Sequence, residues 1–413
     1  MKRFYRHYLL IISVFVSCSY EQNIPFINLS SPEKIETTLA EIADSIVYYP
    51  LALEKGSRMP QHVELLTNAI WVSYYLNDLS DQKGDYFERK SGKLLNQMSL
   101  GPILHKKRYA FNGYNTNSCF IFNNENCLTT PPAANTKAKS YTLDVSTGKE
   151  VEAIPFSIRD IKSVSPQRLS DSIFLVVTDL IGLGGKDNVR PHYSIQWYDK
   201  QMQLIKEDLF ADSIYRINRQ KIISLLNDRI YLHADCTPTI YELSQDEKPR
   251  PVYRYFLGEH TPSVATNGEL FITKRQFDKY YNSSYYNLHS SMISNNFVFG
   301  AFDYKGKINY VLYSRKTEET WIIPTEGKSD GKVYSYKEGI KNNLDGGMDF
   351  WPKNVSKRGE IYTWYSVDDL RTKVAQSNSE QMKNPKASQR LKKMLENLPE
   401  DTNLIIAVLK EKK

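Results

Sequence analysis

A short phrase recurs along this chain: a turn built from Asn, Asp or Gly, followed by apolar and aromatic residues that favour a β-strand. Its copies lie at residues 68–72, 171–175, 227–231, 267–271 and 358–362, with a weaker copy at 117–121. Between the copies, strand-forming runs flank polar turns at 91–93, 147–149, 200–201, 245–247 and 305–307. Such runs on either side of turn residues predict β-hairpins.

The spacing of these copies constrains the fold most. Those at 68, 117, 171 and 227 begin 49, 54 and 56 residues apart. A repeat near 50 residues, with about four strands in each unit, is typical of a β-propeller blade. Aromatic residues, including 29 Tyr and 17 Phe, fit the pleated surfaces of such sheets. The sequence therefore predicts an all-β fold, a six-bladed β-propeller over residues 36–413.

Both ends of the chain carry strand-like runs. One is Ile46–Leu51 and the other is Asn403–Leu409. A propeller closes its ring by pairing strands from the two ends of the chain, so we expect these runs to pair.

One segment breaks the β pattern. Residues 368–398 are polar and charged, and Leu391, Met394, Leu395 and Leu398 follow helical spacing up to Pro399. We expect a helical insertion in the last blade, which serves either as a solvated connector or as a partner-binding helix.

The N-terminus has the pattern of an export signal. Lys2, Arg3 and Arg6 precede a short apolar run, and Ser17 and Cys18 follow it. The run is too short to span a bilayer, which takes about 20 apolar residues. We expect a signal peptide over 1–17, a lipid on Cys18, a linker over 18–35, and a chain held by that lipid in the cell envelope, on the periplasmic or surface face of the outer membrane.

Charge and cysteine content narrow the alternatives. The formal net charge of +7 becomes +4 without Lys2, Arg3 and Arg6, and it is spread along the chain, so no nucleic-acid partner is expected. An odd number of cysteines remains after Cys18. A Cys119–Cys127 bridge across a hairpin is one option, and the state of Cys236 stays open.

No common catalytic motif occurs, and no cofactor or metal is predicted. His233 and Asp235, two residues apart, could share one strand face and act on a proton or a metal, or form an ordinary hydrogen-bonded pair.

Five residues are the candidates for binding. Asp345, Asp349 and Trp351 could join carboxylates to an aromatic platform suited to a sugar or a cation, and Tyr285 and Tyr286 could form a contact patch. The structural alternative assigns the same residues to turns, core packing and strand ends.

The segment from Asn343 to Pro352, with its Asp-Gly-Gly and Phe-Trp-Pro, resembles a segment ahead of the last blade in the six-bladed β-propeller lipoproteins of Bacteroidota. Tyr49–Leu51, Asp212–Ile217 and Leu398–Asn403 add to the resemblance. It implies the propeller fold and an envelope location. The family has no settled activity, so it implies no catalytic residue.

Three functions follow as hypotheses. The leading one is a non-catalytic, lipid-anchored propeller that binds a protein or a glycan at one mouth of the central channel. The second is an envelope hydrolase or lyase acting on a glycan or a peptide in that channel. The third is a scaffold or sensor subunit of an outer-membrane uptake system that docks through its helical insertion.

Overall fold

The structure of the chain is a computed structural model. It describes residues 24–31, 34–35, 37–60, 62–76, 82–99, 120–122, 127–130, 139–144, 147, 149–155, 167–169, 172–179, 193–199, 201, 203–210, 221–234, 237–260, 286–328 and 338–412. The predicted signal peptide over 1–17 lies outside the described residues, as do Cys18, Cys119, Asp235, Cys236, Tyr285 and the repeat copy at 267–271.

Strands dominate the described residues. Three come first along the chain: β1 (Phe26–Asn28), β2 (Lys34–Ile35) and β3 (Ala43–Leu51). Sheet 1 then holds β4 (His62–Leu65), β5 (Ala69–Tyr75), β6 (Gln82–Glu88) and β7 (Leu94–Ser99). Sheet 2 holds β8 (Phe120–Phe122), β9 (Cys127–Thr130), β10 (Lys139–Asp144) and β11 (Glu150–Pro155). Sheet 3 holds β12 (Gln167–Arg168), β13 (Ile173–Asp179), β14 (Tyr193–Asp199) and β15 (Leu204–Phe210).

The remaining sheets use strands from both ends of the chain. Sheet 4 holds β16 (Lys221–Leu226), β17 (Arg229–Ala234), β18 (Thr239–Leu243) and β19 (Arg250–Phe256), with β1 at its edge. Sheet 5 holds β20 (Asn287–Ile293), β21 (Phe297–Tyr304), β22 (Lys307–Ser314) and β23 (Thr320–Lys328), with β2 at its edge. Sheet 6 holds β24 (Asn354–Val355), β25 (Ile361–Ser366) and β26 (Leu404–Glu411), with β3 at its edge.

Turn chemistry explains how these strands fold back on one another. Asn227 and Asp228 have φ of 48° and 64° between β16 and β17, and Lys305 and Gly306 have φ of 51° and 74° between β21 and β22. Positive φ at both central residues gives a turn whose twist matches that of the paired strands. Hairpins therefore form at these positions, where the sequence predicted turns.

The two ends of the chain pair as predicted. Strand β3 runs antiparallel to β26, with Tyr49 opposite Ile406 and Leu51 opposite Leu404. Next to this pair, the Asn403 side chain accepts from the Leu53 backbone N–H at 2.9 Å and donates to the Leu53 carbonyl at 3.1 Å. Sheet 6 is therefore completed only by the start of the chain.

Part of the segment expected to be a linker, 18–35, is instead built into two sheets. Strand β1 pairs parallel with β19, and β2 pairs parallel with β23. The chain thus passes along the outer edges of sheets 4 and 5 before it enters sheet 6. The linker prediction is wrong for residues 26–28 and 34–35, because the exposed backbone groups of β19 and β23 offer partners to a passing strand.

Apolar side chains fill the spaces between neighbouring sheets. One cluster joins sheets 3 and 4 through Trp197 and Leu232, and a second joins sheets 4 and 5 through Tyr231 and Val298. A third cluster joins sheets 5 and 6, and a fourth joins sheet 6 to sheet 1. This face-to-face packing of successive four-stranded sheets is an all-β propeller arrangement.

Helices are few among the described residues, and the two longest lie in the segment predicted to be helical. The α-helices are α1 (Leu39–Ile42), α2 (Val367–Gln376) and α3 (Pro385–Glu396), and the two longest are α2 and α3. The Ser366 hydroxyl accepts from the Asp369 N–H to cap α2, and the Asn384 side chain caps α3 in the same way. Leu391 and Leu395 of α3 are buried in the cluster between sheets 5 and 6.

Candidate functional site

The loop that carries Asp345 lies between sheets 5 and 6 and begins and ends on an isolated pairing of Ile340 with Phe350. Gly346 in this loop has a φ of +79°, a conformation that only glycine adopts without strain. The next residue, Gly347, has room for no side chain, because an added Cβ would lie 2.5 Å from the Tyr48 hydroxyl. The two glycines therefore let the loop close over the Asp345 carboxylate.

The Asp345 carboxylate is buried, at 2% exposure, and it accepts from several groups. The Tyr48 hydroxyl donates to it at 3.0 Å, the Asn342 side-chain amide at 2.8 Å and the Gly347 N–H at 3.0 Å. Burial raises the pKa of Asp345 above its ordinary value, although these hydrogen bonds act in the opposite direction. The Asp345 carboxylate thus holds the loop to strand β3, which carries Tyr48.

Asp349 is the more accessible carboxylate of the loop. Its Oδ1 lies 3.5 Å from the Lys373 ammonium of α2 and accepts from the Asn342 N–H at 3.3 Å. Its side chain is 27% exposed. Asp349 thus ties the loop to α2 and keeps part of its surface in contact with solvent.

Trp351 packs in the core between sheets 5 and 6. Its ring stacks on Tyr310 with centroids 4.1 Å apart and an interplanar angle of 12°, and it meets the edge of Phe299 at 5.5 Å. Only 8% of Trp351 is exposed. Two aromatic rings of the protein therefore contact the indole.

Tyr286 belongs to a different part of the core. It stacks on His260 at 4.4 Å and packs against Phe302 and Tyr304, within the cluster between sheets 4 and 5. Asp345, Asp349 and Trp351 thus share one loop, whereas Tyr286 lies with other partners in another cluster. Tyr285 lies outside the described residues.

His233 joins sheet 4 to sheet 5. Its Nδ1 accepts from the Ser291 N–H at 2.8 Å, and its Nε2 donates to the Thr237 carbonyl at 3.0 Å. Burial lowers the pKa of His233 to about 4, so the ring is neutral near pH 7. Both ring nitrogens are used in structural hydrogen bonds, and the possible partner Asp235 lies outside the described residues.

A close histidine–carboxylate pair that the sequence patterns missed lies on sheet 5. His289 on β20 and Asp303 on β21 approach to 3.2 Å between Nε2 and Oδ2, and only 17% and 5% of their side chains are exposed. The signal is absent from the sequence because the two residues come together only through the register of the hairpin. Among the described residues, no group of three or more His, Cys, Asp or Glu side chains is arranged to hold a metal ion.

The sequence patterns also missed a partly buried lysine beside sheet 6. Lys353 donates from Nζ to the Trp364 carbonyl at 2.7 Å and lies 4.5 Å above the Trp364 ring. Burial lowers the pKa of Lys353 to about 7, so part of the amine is uncharged at neutral pH. The Trp364 ring in turn donates its N–H to the Pro60 carbonyl at 3.2 Å, which fixes the platform under the amine.

An open cleft of about 590 Å³ lies beside the Asp345 loop. Two acidic side chains, Glu41 and Asp44, and two basic ones, Lys383 and Lys412, line it together. Thr37 and Thr38 donate to the Glu41 carboxylate at 3.1 Å each, while Asp44 and Lys383 are exposed to solvent. The other lining residues are Thr38, Ala40, Ala43, Asn343, Leu344 and Asn384.

Four segments that are far apart in the sequence form this cleft: residues 38–44, which cover α1 and the start of β3, the Asn343–Leu344 turn, the approach to α3, and Lys412 after β26. The backbone joins them, since the Lys383 N–H donates to the Asn343 carbonyl at 2.9 Å and the Asn343 side chain accepts from the Ala40 N–H at 3.0 Å. No local sequence pattern marks such a cleft, because the closure of sheet 6 creates it.

Fold and site together define an all-β protein of the propeller class, with a polar cleft beside the strand that closes its last sheet. Comparison with family models is more specific: residues 27–410 match the family described as a domain of unknown function, DUF4934, and the chain belongs to that family.

Two of the solved structures that are similar to this chain come from Bacteroides. A candidate exported protein of Bacteroides fragilis is 15% identical with a TM-score of 0.58, over 94% of this chain and 100% of that one. A member of the DUF4221 family from Bacteroides vulgatus is 11% identical with a TM-score of 0.46, over 90% of this chain and 98% of that one. No curated protein matches the sequence. No helix among the described residues has the length and apolar character needed to cross a membrane.

Proposed function

We propose that this protein is a non-catalytic, lipid-anchored propeller of the bacterial cell envelope, which binds a polypeptide segment of a partner in the cleft between Asp44 and Lys383. The observation that carries the proposal is the cleft itself, in which opposite charges face one open space of about 590 Å³.

We infer that the six sheets form one ring of six blades, and the junctions between them support this inference. Six sheets occur among the described residues, and apolar clusters join sheet 3 to 4, 4 to 5, 5 to 6, and 6 to 1. Strand β8 of sheet 2 contacts β12 of sheet 3. Five of the six junctions that a ring requires are therefore present among these residues.

The location rests on the N-terminal sequence and on one relative. Basic residues, an apolar run and Ser17-Cys18 have the order of a lipoprotein signal. The Bacteroides fragilis relative is itself a candidate exported protein. The resemblance to Bacteroidota propeller lipoproteins agrees with attachment at Cys18, and the outer membrane is the membrane we assign.

The chemistry of the cleft favours a polypeptide over a glycan. Sugars bind on exposed aromatic faces, whereas the Trp351 face is covered by Tyr310 and Tyr286 is stacked on His260. The cleft instead offers paired positive and negative side chains, and it lies at the open edge of strand β3. An extended peptide can use both, through its backbone groups and its charged side chains.

Site-specific photocrosslinking in intact cells tests this function. A photoreactive phenylalanine analogue replaces Asp44 in one strain and Lys386 in a control strain, since Lys386 is exposed on α3 but does not line the cleft. We expect a discrete polypeptide adduct at position 44, lost when Lys383→Glu is added, and no such adduct at position 386. An adduct with glycan, or equal adducts at both positions, would contradict the proposal.

Attachment to lipid has a separate test. Metabolic labelling with an alkyne fatty acid should label the wild-type protein and not the Cys18→Ser variant. A labelled Cys18→Ser protein, or an unlabelled wild type, would refute the anchor without affecting the cleft.

A further inference from the structure

Exposed apolar side chains of the described residues are concentrated on one part of the rim. Eight large hydrophobic residues are exposed, and five of them lie on the outer strands of sheets 3 and 4 or on β1. Each of the five is between 44% and 56% exposed. They are Phe26, Leu204, Ile205, Leu209 and Phe256.

These five side chains belong to the outer strands of two neighbouring sheets. Phe26 of β1 and Phe256 of β19 meet edge to face, with ring centroids 6.3 Å apart. Strand β15, which carries the three aliphatic residues, is tied to sheet 4 by a hydrogen bond of 2.6 Å from the Lys206 ammonium to the Glu247 carbonyl. We name this surface, formed by Phe26, Leu204, Ile205, Leu209 and Phe256, the apolar rim.

Exposed apolar side chains grouped on the outer strands of two neighbouring sheets favour contact with another surface. The position of strand β1 indicates that this other surface is a membrane. Strand β1 holds residue 26 at the edge of sheet 4, which belongs to the apolar rim.

The tether from this point is short. Eight residues, 18–25, connect the lipid proposed on Cys18 to β1, and at about 3.4 Å per residue they reach at most about 27 Å. A seven-residue strand such as β15 is about 24 Å long by the same measure. The whole apolar rim therefore lies within reach of any membrane that holds the lipid.

We propose that the apolar rim contacts the lipid bilayer, so that the propeller stands on its edge with sheets 3 and 4 against the membrane. This inference rests on the lipid attachment at Cys18 proposed above. Burial of the exposed Leu, Ile and Phe side chains in the interfacial region provides a second attachment beside the acyl chains. In a ring of six, sheet 6 stands opposite sheet 3, so the cleft beside α3 faces away from the bilayer.

Tryptophan quenching by brominated lipid tests this orientation. The full-length lipoprotein is reconstituted in vesicles of phosphatidylethanolamine and phosphatidylglycerol with brominated acyl chains. Leu204→Trp is compared with Leu95→Trp, since both leucines are 51% exposed on outer strands, but Leu95 lies on sheet 1. The signal from the five native tryptophans is subtracted with the unsubstituted protein.

We expect the added tryptophan at position 204 to be quenched at least twofold more than the one at position 95. Leu209→Trp serves as a second reporter if Leu204→Trp does not fold. Equal quenching at 204 and 95, or shielding of 204 in a protein that sediments as a dimer, would overturn the inference. Flotation of the wild type with vesicles separates the two proposals: loss of flotation refutes the anchor, whereas flotation without differential quenching refutes only the apolar rim.

Discussion

Arg89 and Glu360 join the first sheet to the last through two hydrogen bonds of 2.9 Å each, although 271 residues separate them. Lys410 of β26 donates to the same carboxylate at 2.9 Å, and the Arg89 guanidinium also donates to the Leu66 carbonyl. Only 11% of the Arg89 side chain and 20% of the Glu360 side chain are exposed. This ion pair fastens the junction between sheets 6 and 1.

Glu360→Gln should weaken that junction. Burial alone would raise the pKa of Glu360, but hydrogen bonds from Arg89 and Lys410 lower it to about 2. Because this is below the unfolded value of 4.5, the ion pair stabilises the fold above pH 4.5 and its contribution is lost as pH falls towards 2. We expect the free energy of unfolding at pH 7 to fall by about 2 kcal/mol. Urea unfolding at pH 7 and pH 3 measures the free energy of unfolding and its dependence on pH.

Glu242→Gln is the matched control for this variant, because Glu242 pairs with Arg250, whose side chain is 57% exposed. An exposed pair contributes less than about 1 kcal/mol. Equal losses in the two variants would argue against a special role of the junction between sheets 1 and 6.

Asp85 should make the stability of the fold depend on pH in the direction opposite to Glu360. Burial raises the pKa of Asp85 to about 6, and the hydrogen bond from the Tyr74 hydroxyl at 2.9 Å only partly offsets it. The folded value lies above the unfolded value of 3.8, so the stabilisation is complete below pH 3.8 and is lost as pH rises through 6. Asp85→Asn should reduce the change in thermal midpoint between pH 5 and pH 7.5. An unchanged difference would contradict the assigned pKa.

His233→Phe should cost more stability than His233→Asn. Phenylalanine leaves the buried Ser291 N–H without its acceptor, whereas the asparagine carbonyl can replace Nδ1. An unpaired buried donor costs about 1–3 kcal/mol, and chemical denaturation of the two variants measures the difference. In the wild type the neutral ring also predicts loss of stability as pH falls from 6.5 towards 4. Equal losses of stability in the two variants would show that the hydrogen bond to Nδ1 does not stabilise the contact between sheets 4 and 5.

Gly347→Ala should show coupling to Tyr48. The added methyl would lie 2.5 Å from the Tyr48 hydroxyl, which predicts a loss of about 1–3 kcal/mol. Tyr48→Phe removes that hydroxyl together with its hydrogen bonds to Asp345. In a double-mutant cycle, the alanine should cost at least about 1 kcal/mol less in the Tyr48→Phe background. If the losses of the two variants are additive, the strain caused by the alanine comes from a contact other than the Tyr48 hydroxyl.

Much of the fold could be predicted, because the signals are local. Turns such as Asn227-Asp228 and Lys305-Gly306 carry the residues that tolerate positive φ, and the buried run Ala69–Tyr75 consists of strand formers. The closing pair of β3 and β26 could also be predicted, since both are apolar runs at the ends of the chain.

The candidate site could not be predicted to the same extent. Asp345 and Trp351 belong to one loop, as their closeness in the sequence suggests. Nothing in the sequence shows whether the Trp351 ring is exposed for a ligand or covered by Tyr310, as it is in the structure. Tyr286 lies in another cluster, where it stacks on His260, a contact that the sequence does not indicate. Strands β1 and β2, of three and two residues, are too short to show a period of alternation.

The passage of the N-terminal segment along three sheets has a consequence for biogenesis. Of the described strands, β1, β2 and β3 are synthesised first, yet β3 pairs with β26, the last of them, and the Leu53–Asn403 contact beside this pair spans 350 residues. Strand β3 must therefore wait, without its partner, until β26 has been synthesised. Molecules arrested before β26 is complete would expose that waiting strand to proteases and to neighbouring nascent chains.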